Sequence, residues 1–381
     1  MSGERILMMK QRNQNQDKGS TTFTRLRHQH RAHATPFHEQ YRKLKVEGCD
    51  YSQNLHIELN TSLPVSEMGL LLTCNAGTAV ADEFCEAFGT RCVEHVTFKI
   101  NGRNIYEYDY ADVLVAVAQS YEDDKNVNQL KKIAGGARGQ AARKVVVPLF
   151  FFSDSISHGI MGNVGHRRPF CNPQGSKLEI EIRMADKADC TTGNGMEITN
   201  CEFIYSELLL PSQTEAQLKT PISVAPRSIW RSLPEFQVAA NTEKELRLES
   251  MCAGGNIKNI WCYARSDKGT GAAREFPDTN CVHPNDIKLI INGTTVWDEE
   301  DSEIQWRRWT SGQNVRDGKC HLISFAELPY DRAASSGFLP ANLDAVSLKL
   351  KFPANVDCRL IFELEKVLRA DGMSRYTQSD K

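Results

Sequence analysis

Residues 96–106, VTFKINGRNIY, and residues 287–297, IKLIINGTTVW, are two versions of one pattern. Each reads as a strand, an Asn-Gly pair, a second strand and then an acidic stretch. Asn-Gly between alternating apolar runs predicts a two-residue hairpin turn, because both central positions must take positive φ. Four further matches keep the same order along the chain: 55–59 with 246–250, 145–152 with 320–326, 178–184 with 346–352, and 201–208 with 358–364. The offset between partners falls from about 191 to 157 residues, as it would if the late loops of the first copy were longer. Each match is weak alone, but five in one order predict a duplicated β-domain. The copies join through 211–226 (PSQTEAQLKTPISVAP), a polar, proline-bounded linker.

The strands themselves show a period of two. Leu55, Ile57 and Leu59 alternate with His56, Glu58 and Asn60, and Leu178, Ile180 and Ile182 alternate with Glu179, Glu181 and Arg183. Val346, Leu348, Leu350 and Phe352 do the same, and Leu360, Phe362 and Leu364 follow. Such alternation marks half-buried strands with one face on the core and one in water. Residues 145–152 (VVVPLFFF) are apolar on both faces and read as a central strand covered twice. Helical periods are few: 110–119 is one candidate, and 215–218 a short connector. Many short strands between polar interludes predict sandwiches or barrels.

The chain has 381 residues, 40% hydrophobic and 25% charged, enough apolar content for a core in each of two domains. The longest apolar run is the eight residues 145–152, interrupted by Pro148, whereas a membrane-spanning helix needs about 20. No signal-peptide core follows Met1, so a soluble protein not secreted by the usual route is expected. Twelve cysteines lie between Cys49 and Cys358, and the closest, Cys85 and Cys92, are separated by six residues. That spacing predicts no zinc ribbon or redox motif, and free thiols acting as small core hydrophobes are expected. The sequons at Asn60 and Asn292 then carry no meaning. The net charge of −2 hides an asymmetry: residues 1–46 carry ten Lys and Arg against three acids, +7, leaving −9 on the remainder. This reads as a mobile basic arm on an acidic body, suited to nucleic acid, acidic headgroups or an acidic partner. Its four histidines (His28, His30, His33, His38) lack the cysteine or carboxylate companions of a metal site.

Catalytic signatures are sparse. Residues 135–140 (GGARGQ) are glycine-rich but lack the Gly-Lys-Ser/Thr that cradles phosphate. Ser153, Asp154, Ser155 and His158 hold the letters of a hydrolytic triad without a nucleophile-elbow context, and His166-Arg167-Arg168 reads as a solvated basic loop. The liveliest stretch runs from Trp297 through Asp298, Glu299, Glu300 and Asp301 to Trp306-Arg307-Arg308-Trp309. Carboxylates beside aromatics are what a glycan-binding or glycan-cleaving β-sandwich would use. The competing reading is a solvated acidic loop and interface aromatics. No catalytic, cofactor-binding or metal-ligating set is expected.

Two tandem sandwiches at this length resemble the double jelly-roll major capsid proteins of tectivirus-type, adenovirus-like and nucleocytoplasmic large DNA viruses. Residues 144–152 resemble that family's apolar strand with an internal proline, and 287–293 resemble the strand and turn that open its second-domain insertion. Residues 323–329 (ISFAELP), the Ser335-Ser336-Gly337 loop and 343–348 (LDAVSL) are similar to its large-virus pattern, departing at Glu327 and at Ser335. The resemblance spans about residues 50–367. It implies an all-β fold of two tandem eight-stranded jelly rolls: arm 1–46, first roll 47–212, linker 213–226, second roll 227–368 and tail 369–381. It also implies a non-enzymatic virion protein forming a homotrimer, a pseudo-hexagonal capsomer that meets neighbouring capsomers and minor capsid or penton proteins. The arm would face an internal membrane, minor proteins or genome. Tower or inter-tile contacts would use the loops 122–143, 186–200, 264–284 and 298–319.

Overall fold

A computed structural model describes residues 38–61, 63, 65–110, 124–149, 177–193, 195–209, 223–252, 256–266, 281–300, 303, 320–325, 339, 343, 345–371 and 375–378. The first half contributes β1 (His38–Lys45), β2 (Asn54–Leu59), β3 (Val65–Cys74), β4 (Glu83–Phe84), β5 (Val93–Ile100), β6 (Arg103–Asp109), β7 (Arg143–Leu149), β8 (Leu178–Met184), β9 (Thr191–Thr192) and β10 (Ile198–Leu209). The second contributes β11 (Ser223–Ser232), β12 (Phe236–Val238), β13 (Lys244–Arg247), β14 (Asn256–Arg265), β15 (Asp286–Ile291), β16 (Thr294–Glu300), β17 (His321–Ser324), β18 (Val346–Lys351), β19 (Val356–Asp371) and β20 (Arg375–Gln378).

Each half is built on two antiparallel sheets that share one four-strand connectivity; in the second half β12 and β20 also pair with β19. The orders β1-β10-β3-β7 and β2-β8-β5-β6 in the first half are repeated as β11-β19-β14-β17 and β13-β18-β15-β16 in the second. Strands far apart in sequence lie side by side in each sheet. This is the jelly-roll arrangement, present twice. The five sequence matches fall on equivalent elements: β2 with β13, β5–β6 with β15–β16, β7 with β17, β8 with β18, and β10 with β19. The duplication extends to irregularities. In both Asn-Gly hairpins the Asn and Gly take positive φ: Asn101 50° and Gly102 77°, Asn292 49° and Gly293 77°. Both carry a bulge at the same place, after Phe98↔Tyr106 and after Leu289↔Trp297.

Alternation does what it predicted. β2 and β8 bury Leu55, Ile57, Leu59, Leu178, Ile180 and Ile182, and β18 buries Val346, Leu348 and Leu350. Of the ten cysteines whose side chains are described, eight are buried among these side chains, all ten as free thiols. Three expectations change. Residues 145–149 lie in β7, which is an edge strand: Val145, Val147 and Leu149 point inward, and Pro148 sits where no ladder N–H is needed. Its neighbour Gly69 is close enough that a Cβ there would lie 2.9 Å from the Val147 carbonyl oxygen. The strand buried on both faces is β14, from Ile257 to Arg265. Secondly, residues 38–45, assigned to a mobile arm, form β1 and pair along β10 from His38↔Leu209 to Lys45↔Glu202. Thirdly, the segments read as linker and tail contain paired strand: β11 begins at Ser223, and β20 pairs with the end of β19.

Polar interludes are more ordered than their composition suggests. Within 122–143 a helix, α1 (Asp124–Ile133), buries Leu130 against the first roll. The glycine-rich 135–140 stretch follows it as a tight turn, Gly135 and Gly136 having φ of 120° and 70°. The buried Asp82 carboxylate accepts hydrogen bonds from the Thr78 and Ala79 amides, both at 2.9 Å, closing the loop after β3. The candidate helix 110–119 lies outside the described residues beyond Tyr110, as do 215–218, Ser153 to His158 and His166 to Arg168.

Candidate functional site

The densest group of functional-type side chains lies where the two rolls meet. β6, an edge strand of the first roll, lies against β11, an edge strand of the second. Asp109 ends β6, and its backbone N–H donates to Ser232 Oγ at 3.0 Å across the seam. The two Asp109 carboxylate oxygens divide their work. One meets His95 Nδ1 at 2.9 Å, from the adjacent strand β5. The other accepts from the Arg359 guanidinium on β19 of the second roll. A second Arg359 nitrogen donates to Glu235 Oε2 at 3.2 Å, and Arg265 donates to the same oxygen at 3.3 Å.

The result is a chain of hydrogen-bonded partners, His95–Asp109–Arg359–Glu235–Arg265, in which charge alternates from Asp109 to Arg265. Burial pushes the Asp109 carboxyl up, but its hydrogen bond to His95 and the Arg359 charge outweigh this and hold it below the usual carboxylate value. Arg265 is buried, with its guanidinium 4.7 Å from the centre of the Tyr263 ring. Each carboxylate at the seam answers an arginine of the second roll, Asp109 meeting Arg359 and Glu235 meeting Arg359 and Arg265. The chemistry is that of a clamp fixing one roll against the other.

The other acidic segment behaves differently from the sequence reading. Residues 298–300 belong to β16 instead of a loop, so successive side chains point to opposite faces. Trp297 faces inward and makes an edge contact with Phe325, ring centres 5.8 Å apart, and Glu299 is buried on the same face. Asp298 and Glu300 face solvent, and Asp298 lies 3.6 Å from Lys288. Trp306 to Trp309 lie outside the described residues. Among the described residues, then, the strand divides the acids between a buried and a solvent face and packs Trp297 into the core margin; this gives the glycan reading no support. Among the described residues no group of three His, Cys, Asp or Glu could hold a metal ion, and no helix is long and apolar enough to cross a membrane.

The seam escaped the sequence reading because Asp109 and Arg359 are 250 residues apart. One signal was present: the repeat places His95 and Asp109 opposite Asp286 and Glu300, so both hairpins end in a facing pair of titratable residues.

No protein-family model matches the chain, and no curated protein matches it in sequence. Solved structures do match in shape. The capsid protein in the quasi-atomic model of the PBCV-1 virus capsid superposes with a TM-score of 0.70 at 12% identity, covering 92% of this chain and 98% of that one. The fold is the double jelly roll of viral capsid proteins. The Faustovirus major capsid protein gives 0.70 at 9% identity, covering 90% of this chain and 92% of its own. The major capsid protein of bacteriophage PM2 gives 0.51 at 12%, covering 87% and 98%. The double jelly roll therefore extends over nearly the full length of each partner, both rolls included.

Proposed function

We propose that this chain is a major capsid protein whose trimers form pseudo-hexagonal capsomers of an icosahedral shell. The observation that carries the reading is the internal duplication: two rolls that share one strand order, with an Asn-Gly turn and a bulge at the same place in one hairpin of each, locked by a charged seam. Three such chains supply six similar wedges, which is how a trimer fills a hexagonal position. The structural neighbours that share both rolls are named as capsid proteins, and the strand edges and flanks of the rolls offer surface for contact between copies. A non-enzymatic, virion-located role follows from this reading. Neighbouring capsomers, minor capsid proteins and penton proteins are its expected partners. The basic segment preceding β1 would meet an internal membrane, minor proteins or genome, through contacts weakened by salt.

Light scattering after size exclusion tests this directly. A trimer would have three times the chain mass of 42.9 kDa, near 129 kDa. A species that stays near 43 kDa at high concentration would overturn the reading.

A further inference from the structure

Among the described residues, the seam within one chain has an unfilled counterpart. β6 and β11 cover each other, but their equivalents in the duplicated fold, β16 and β1, are also edge strands and lie at separate places in the chain. Equivalent positions can be assigned from register. Asp109 corresponds to Glu300, because both face the residue six before the Asn of their hairpin, His95 and Asp286. On the other side, β10 and β19 align Ile204 with Ile361; their edge partners are Lys43 and Ser232, and one pair further along are Tyr41 and Trp230.

Exposure at these positions differs as a covered edge differs from an open one. Trp230 is 5% exposed whereas Tyr41 is 65% exposed. Ile105, the bulged residue of β6, is 8% exposed whereas Val296, the bulged residue of β16, is 55% exposed. Charge is complementary. β1 presents Arg42, Lys43 and Lys45, with Lys43 satisfying Glu202 at 3.5 Å while remaining more than half exposed. β16 presents Asp298 and Glu300 to solvent.

We infer that β16 of one copy docks on β1 of a second copy in the manner of the internal β6–β11 seam, placing Glu300 against Lys43 and Val296 beside Tyr41. The inference rests on the capsomer reading for its copy number, three, but its residues come from the duplication. Where the internal seam uses an Asp109 amide donating to the Ser232 hydroxyl and a carboxylate answered by Arg359, the contact between copies uses a carboxylate answered by a lysine. The cation has moved one strand outward, because the position equivalent to Arg359 is Glu202.

The test is a charge exchange read by light scattering across a dilution series. Lys43→Glu and Glu300→Lys, each alone, should weaken association by about tenfold or more, as a reversed charge across a close pair does. The double variant Lys43→Glu/Glu300→Lys should recover most of that loss, and unchanged circular dichroism would show that each variant folds. Tyr41→Ser should weaken association without dependence on salt. If the unaltered chain is trimeric and neither single reversal shifts the dilution curve, or the double variant is no better than the singles, the docking inference is overturned and the capsomer reading stands. If the unaltered chain is monomeric throughout, the capsomer reading itself falls.

Discussion

Asp109→Asn isolates the charge that holds the rolls together. The substitution keeps the shape, leaves the backbone bond to Ser232 in place, and removes the negative charge between His95 and Arg359. Hydrogen bonds to charged groups contribute roughly 1.5–3 kcal/mol each. The amide oxygen keeps part of the Arg359 bond, and burying a neutral group relieves the desolvation that works against the carboxylate, so the net loss comes to about 2 kcal/mol. For domains of this size that is a fall of roughly 4–8 °C in Tm. Because the carboxyl is held below its ordinary value in the folded chain, its contribution is present above the unfolded value of about 3.9 and is lost as pH falls through the lower folded value. The gap between the natural chain and the variant should therefore be full at pH 7 and close below about pH 4. Calorimetry across pH, with Arg359→Gln completing a double-mutant cycle, measures it, and the cycle should return a coupling of about 1–2 kcal/mol. A variant within about 0.5 kcal/mol of the natural chain at pH 7, or a gap unchanged down to pH 3, would refute the clamp.

Two further outcomes test the packing. Gly69→Ala should cost about 1–3 kcal/mol in urea unfolding, because its Cβ would press on the Val147 carbonyl of the paired strand β7 and the ladder would have to shift; a neutral change would mean that β7 yields freely. In native-state alkylation followed by mass spectrometry, Cys49 should label before Cys74 and Cys92. The hydrogen bond from the Cys201 thiol lowers the Cys49 value, whereas burial pushes Cys74 up to about 12 and holds Cys92 well above its ordinary value. Equal rates at the three sites would show that the roll opens as a unit.

The duplication was legible because each roll repeats short-range chemistry. An Asn-Gly pair needs positive φ at both positions, and alternation over six residues fixes which face is buried, so β5–β6, β8 and their equivalents could be placed from the residues alone. What failed to show were features whose cause lies in a distant strand. HEQYRKLK has no clean alternation, and it becomes β1 only because β10, more than 150 residues later, offers it a ladder. VVVPLFFF was read as doubly covered because all its residues are apolar, but apolar composition does not reveal whether a second neighbour exists. Pro148 was the clue to the edge. Likewise the run Asp298-Glu299-Glu300 looked like a loop because its residues are acidic, although its partner β15 holds it in register.

These misreadings concern edges, and edges are where two copies of one fold must differ. A duplicated domain joined in one chain can close only one of its two equivalent seams internally; the other is left facing outward with the same shape. In this molecule the internal seam took the buried Trp230 and Ile105 and a half-buried run of paired charge, as a permanent contact does. The outward pair took Tyr41, Val296, Lys43 and Glu300, more polar and more exposed, as suits surfaces that must stay soluble before they meet. Edge strands left open in a monomer invite indiscriminate pairing, and charge is the usual guard against it. The lysine and arginine of β1 and the carboxylates of β16 therefore serve two ends: each repels its own kind, and each admits the other. Reversing both signs together should preserve assembly, whereas making both strands basic by Glu300→Lys should not.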